Sequence, residues 1–263
     1  MLNYIHAELW RFFRRPAGKA LLAVVIALPA LMNLYVWLCN QWLSPENRSG
    51  LYDSLGVASV LMPFAGVLLL MVLADTAFAD ERRLGTLKNA VSAGFPRPPL
   101  YFGKLLSGLL LAFAHLAAAW LSFAVSGLLL LPYGGEYSVF ELAKGAGLLI
   151  LQAVPLWLGV FGILHLLYFT FRNGPMATLA AALGSFVIST VLLSLNDPVA
   201  EALSQCQLLT YFYSVVLEDT LSAYLGEMRV NAPFLAQCWL TGGGYFLSCT
   251  LLGFVLFRRR DID

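Results

Sequence analysis

The chain has 263 residues, of which 60% are hydrophobic and only 12% charged, with a mean hydropathy of +0.77 and a formal net charge of +1. An ordinary soluble domain carries about 25% charged residues, so the composition excludes one and gives no sign of a nucleic-acid partner. The apolar residues concentrate in six uncharged runs, 20–39, 55–74, 105–131, 145–171, 175–195 and 233–257, against the roughly 20 residues a helical span needs. Backbone groups at membrane depth must bond within their own segment, which makes the runs helices. The expectation is an all-α, six-span polytopic membrane protein forming one domain, 1–263.

The first 19 residues precede the first span. Leu2, Ile5, Leu9, Phe12 and Phe13 recur at helical spacing, with Asn3, Glu8, Arg11, Arg14 and Arg15 on other faces, which reads as an interfacial helix. Its arginines suit anionic lipid, at about 1 kcal/mol per basic residue near the surface. They equally suit a docking surface for a cytosolic partner, and both readings stay open here. Pro16 and Gly18 interrupt the segment before a full-length span, so no cleaved signal is expected.

Spans one, two and four carry Pro29, Pro63 and Pro155, each a position for a helix kink. The segment 76–104 between spans two and three holds the densest polar chemistry: Asp80, Glu81, Arg82, Arg83, Gly85, Thr86 and Lys88, then Arg97 and Lys104 beyond Gly94 and Pro96. Asp80 to Arg83 suit an exposed helical turn, and Pro98 with Pro99 can open a new helix. Leu84 and Leu87, three apart, exceed what a purely solvating loop requires.

Span five repeats Ala177, Ala181, Ser185 and Ser189 every four residues, a small-residue stripe that lets another helix approach closely. Between spans five and six, 196–231 contains the nearly uncharged stretch 206–217, too short to cross. It fits a re-entrant helix or a flat outer helix, and the sequence leaves both open. Cys39, Cys206, Cys238 and Cys249 have no metal spacing, and no disulfide is predicted.

An even number of spans puts both termini on one side. Assigning the termini, 76–104 and the Arg172 turn to that side leaves only Arg48, Lys144 and Arg229 of the 16 basic residues for the other. The positive-inside bias makes the first side cytoplasmic. No Asp, Glu, Lys or Arg lies well inside a run, which disfavours proton-coupled transport and intramembrane metal chemistry. His115 and His165 are the titratable groups at depth, and Asn33 and Gln152 read as interhelical hydrogen-bonding residues. A phosphate-binding Gly-Lys-Ser/Thr loop and a recognisable catalytic set are both missing. The chain is therefore expected to be no enzyme and to hold no cofactor of its own.

Three segments carry a resemblance: Ala7-Glu8-Leu9 with Arg14-Arg15; Glu81-x-x-x-Gly85-Thr86-Leu87 with Arg97 and Gly103-Lys104; and the closing Phe257-Arg258-Arg259-Arg260-Asp261-Ile262. In order and spacing they resemble the type-2 ABC transporter permeases, most closely the small permeases of lantibiotic-immunity and bacitracin-resistance exporters. The resemblance implies a permease half in the cytoplasmic membrane of a prokaryote. It would pair with a second permease, identical or related, and with separate nucleotide-binding subunits carrying ATP and Mg. It also implies that Glu8, Arg11, Arg14 and Arg15 and the segment Asp80 to Lys88 contact the ATPase. Spans two and five, with Pro63 and the stripe Ala177, Ala181, Ser185 and Ser189, would line the path or the subunit interface. The 40–54 connection is too short for the large outer domain of many drug exporters. The rival expectation is a non-transporting scaffold or sensor that docks a cytosolic partner.

Overall fold

A computed structural model describes residues 2–83, 86–133, 137–171, 174–184 and 231–259, with the separate positions 191, 194, 198, 199, 208, 211 and 212, and excludes the side chains of 78–88 and 172–175. The described residues form helices joined by short connections. In chain order these are α1 (Leu2–Arg14), α2 (Pro16–Asn40), α3 (Leu51–Arg83), α4 (Thr86–Ser92), α5 (Arg97–Leu130), α6 (Val139–Thr170), α7 (Gly174–Ala182) and α8 (Ala232–Arg259).

Five of them, α2, α3, α5, α6 and α8, are long and apolar enough to cross a membrane. They fit a multi-pass membrane protein and match five of the six expected runs. The remaining run, 175–195, is described as a helix only through α7. Of the stretch 206–217 only Leu208, Tyr211 and Phe212 are described, so the choice between re-entrant and flat lies outside the described residues. Leu208 and Phe212 are themselves buried, Phe212 against Phe64 of α3 at 6.3 Å between ring centroids.

The polar segment 76–104 differs from the expected loop, because most of it is helical. α3 continues to Arg83 and α5 begins at Arg97. Pro98 sits in the first turn of α5, where a missing N–H costs nothing and the fixed φ favours a helix. α4 ends in a Schellman turn: Phe95 N–H donates to Ala90 O at 3.0 Å and Gly94 N–H to Val91 O at 3.0 Å. Gly94 has φ +83°, a left-handed conformation that only a residue without Cβ adopts freely.

α6 is the centre of the bundle. It packs most extensively on α8 and also on α3 and α7, while α5 holds α1 and α2. At the α6–α8 crossing the backbone of Gly242 lies on the Pro155 carbonyl, where a Cβ would collide with main-chain atoms. Close approach of this kind replaces the hydrophobic driving force that lipid cannot provide between helices.

α2 is fixed by different means. Asn33 is fully buried, and its Nδ2 donates to Phe123 O at 2.9 Å and to Ser126 Oγ at 2.8 Å on α5. Its Oδ1 accepts from Ser54 Oγ of α3, so one amide joins three helices, as the sequence leads one to expect. Gln152 of α6 departs from that expectation: it is fully buried and, among the described residues, neither end of its amide has a hydrogen-bond partner.

Candidate functional site: the basic end of the bundle

The two faces of α1 have different environments. Ile5 and Phe12 are buried, and Glu8 between them points into the bundle, where its Oε2 accepts from Lys104 Nζ of α5 at 2.8 Å. Lys104 is only 2% exposed and also donates to the Ala77 carbonyl of α3 at 3.0 Å. One ammonium therefore joins α1, α3 and α5. Arg11 closes on the other Glu8 oxygen. Burial disfavours the charged form of Glu8, but the charges and hydrogen bonds of Lys104 and Arg11 outweigh it, so its carboxyl is held below the ordinary glutamate range.

Nearby, the Tyr4 ring lies over Gly103, occupying space that a Cβ would take, and stands 6.1 Å from Phe95. The gap bordered by Glu8, Arg11, Arg15 and Lys104 has a volume of about 20 Å³, room for roughly one water. This is a packed joint and not a ligand pocket.

The last helix is bound into the same end. Arg97 Nη1 donates to the Phe257 carbonyl at 3.2 Å and to the Arg258 carbonyl at 2.6 Å, two of the acceptors a helix C-terminus leaves unpaired. A cation there also complements the helix dipole. On the α3–α6–α7 side, Tyr168 Oη donates to Asp75 Oδ1 at 3.1 Å and bonds to Thr178 Oγ1. The N-terminal helix, the end of α3, the start of α5 and the end of α8 are thus tied together by buried or half-buried polar groups.

The sequence-derived site residues distribute as follows. Glu8 is turned into the joint, so it positions α1 and does not present a free carboxylate. Arg11 is shared with Glu8, Arg14 lies over the exposed Trp10 ring at 4.3 Å, and Arg15 precedes the first turn of α2. Asp80, Glu81, Arg82 and Arg83 lie on the last turns of α3, and Thr86 and Lys88 on α4, their side chains falling outside the described residues together with Gly85.

Pro63 lies within α3, its carbonyl accepting from Trp157 Nε1 of α6 at 3.0 Å. Ala177 and Ala181 are buried within the chain, on a helix that packs against α6 and α3. For these two, close packing inside the chain is the observed use of the stripe. Ser185 and Ser189 lie outside the described residues.

Lys104 is the residue that sequence reasoning undervalued, since it reads there as one more loop cation. The available signal was Glu8, the sole acid of α1 amid arginines, which needs a partner once its helix packs. His115 is likewise fully buried, with Nδ1 at 2.7 Å from Leu111 O and the ring stacked on Phe13 of α1. His165 sits among Tyr101, Phe161 and Phe169. Both serve the packing of the bundle. No family model matches this chain, and no curated protein matches it.

Proposed function

We propose that this chain is the permease subunit of an ATP-binding cassette exporter, moving an amphipathic peptide, a lipid-like molecule or a drug across the cytoplasmic membrane of a prokaryote. A separate nucleotide-binding subunit would supply ATP hydrolysis, and a second permease, identical or related, would complete the path. The observation that carries this reading is the joint at Lys104, which binds α1 to α3 and α5, together with Arg97 on the end of α8. A push on α1, on the end of α3 or on α4 would reach several spans at once through these bonds. An ATPase acting from outside the membrane requires such a mechanical input, because the chain has no nucleotide-binding loop of its own.

The basic-residue bias assigns this end to the cytoplasm. In a background lacking the four native cysteines, an impermeant thiol reagent on intact cells should label a cysteine at Glu218 and not one at Ser92. The coupling surface is assigned to the end of α3 and α4, where Glu81→Ala should weaken co-purification of the ATPase or substrate-stimulated turnover, and Glu81→Lys more so, with unchanged insertion. A partner that co-purifies but hydrolyses no ATP in response to any amphiphile would favour the scaffold or sensor reading. Normal transport and normal co-purification in both Glu81 variants would remove this segment from coupling.

A further inference from the structure

The opposite end of the bundle holds a cleft of about 610 Å³ between the ends of α2, α3, α5 and α6, within the roughly 300–1,000 Å³ of small-molecule sites. Its walls are fixed before anything binds. Asn40 Nδ2 donates to Ser49 O at 2.8 Å and Ser49 N–H returns to Asn40 Oδ1 at 2.9 Å, which closes the 41–49 connection. Leu51 N–H donates to Pro132 O at 2.9 Å, joining the start of α3 to the end of α5. The Tyr52 and Tyr137 rings meet at 5.2 Å, and a capping box of Ser138 and Glu141 sets the first turn of α6.

Among the described residues the lining combines Trp37, Tyr52, Tyr133 and Tyr137 with one cation, Arg48, and one anion, Asp53. No hydrogen bond or ion pair joins the Arg48 guanidinium to another described residue. Asp53 spends one oxygen, Oδ2, on Gly50 N–H at 2.7 Å. Among the described lining residues, one guanidinium and one half-used carboxylate balance in charge and make a dipole, which matches a zwitterion better than a net ion. Guanidinium is the side chain best shaped for a phosphate, and a carboxylate beside aromatic faces suits an ammonium group through charge and cation–π attraction. The cleft opens where spanning helices end, the level at which lipid headgroups lie.

We propose that this cleft binds the headgroup of a zwitterionic phospholipid from the bilayer, with Arg48 on the phosphate and Asp53 and the Tyr52–Tyr137 pair on the ammonium. The site is independent of the transport reading and needs only the membrane.

The test is native mass spectrometry of the full chain in mild detergent, titrated with phosphatidylethanolamine or phosphatidylglycerol of the same acyl chains. Wild type should retain phosphatidylethanolamine about tenfold better, the equivalent of one charge-assisted contact. Arg48→Gln should lose about tenfold of that retention and Arg48→Lys less. Asp53→Asn, which can still accept from Gly50, and Tyr137→Leu should narrow the preference between the lipids. Equal retention of the two lipids by wild type, or unchanged retention in Arg48→Gln, overturns the proposal. So does competition by free glycerophosphoethanolamine at the lipid's own concentration, which would assign the cleft to a soluble solute. Should Arg48→Gln fail to fold, Arg48→Lys and Tyr137→Leu decide between the same two outcomes.

Discussion

α2 and α6 are both uninterrupted apolar helices with an internal proline, yet 11% of the most apolar stretch of α2 is buried against 67% for α6. Hydrophobicity makes both fit to cross a bilayer and distinguishes nothing further, since lipid tails are as apolar as leucine. Their positions follow from the few residues that are not leucine-like. α2 is held by a few polar contacts, chiefly Asn33, with Ser122 Oγ of α5 donating to the Ile26 carbonyl at 2.6 Å, and turns Leu28 and Leu31 outward. α6 carries Trp157, Gly159, Gly162 and His165, which meet ring and backbone surfaces of α3, α5 and α8. Each also has a buried amide, and the two amides are opposites: Asn33 bonds at both ends, whereas Gln152 has no hydrogen-bond partner among the described residues.

The largest expected effect is at the α6 seam. Gly242→Leu places a side chain where only backbone fits, and should cost about 3 kcal/mol through overpacking, read as a large fall in the thermal midpoint in detergent. Leu28→Ala on α2, 62% exposed, should stay within about 0.5 kcal/mol as a site outside any packed contact. Equal effects at the two positions would abolish the distinction between the helices.

Next is Lys104→Met, which leaves Glu8 with Arg11 alone in the joint and should cost about 2 kcal/mol, as losing a hydrogen bond to a charged group does. Adding Glu8→Gln should recover much of it. pH gives an independent reading. Because the Glu8 carboxyl is held below its ordinary range, its contribution is complete above that range and is lost as pH falls through the lowered value. The acid limb of a stability–pH curve should therefore flatten in Lys104→Met. An unchanged limb would show that the pair is not formed in solution.

Asn33→Leu should cost about 1.5 kcal/mol, near the upper end for interhelical hydrogen bonds in membranes, and loosen α2 selectively, measured as faster proteolysis within its connection to α3. The smallest effect has the opposite sign. Gln152→Leu removes a buried amide that has no partner among the described residues and should raise stability by about 1 kcal/mol. A loss of stability there would mean that the Gln152 amide is bonded in the membrane.

Much of this architecture is legible in the sequence because long uncharged apolar runs have few folds open to them but the helix. Five of the expected runs lie within described helices or overrun them by one residue, and Asn33 bonds across helices as its position in an apolar run implies. Boundaries are less legible: α5 starts eight residues before its apolar run, since Pro98 and the pairing of Lys104 extend a helix that hydropathy alone would stop. The Ser138-x-x-Glu141 signature that opens α6 is present in the sequence and has a direct mechanism. Pairings distant along the chain have no such local mark. Nothing near Lys104 points to Glu8, and nothing near Gln152 announces that it lacks what Asn33 has.

The grip of Arg97 on the end of α8 has a consequence in time. Its two acceptors lie 160 and 161 residues further along the chain, which at synthesis rates of about 5–20 residues per second is roughly ten to thirty seconds of translation. During that interval the start of α5 is already made while the carbonyls that will hold it do not exist. The bond can form only once α8 is in place, so a chain cut short before Phe257 would still lack the contact that closes the basic end. Arg97 thus records whether synthesis has run as far as α8.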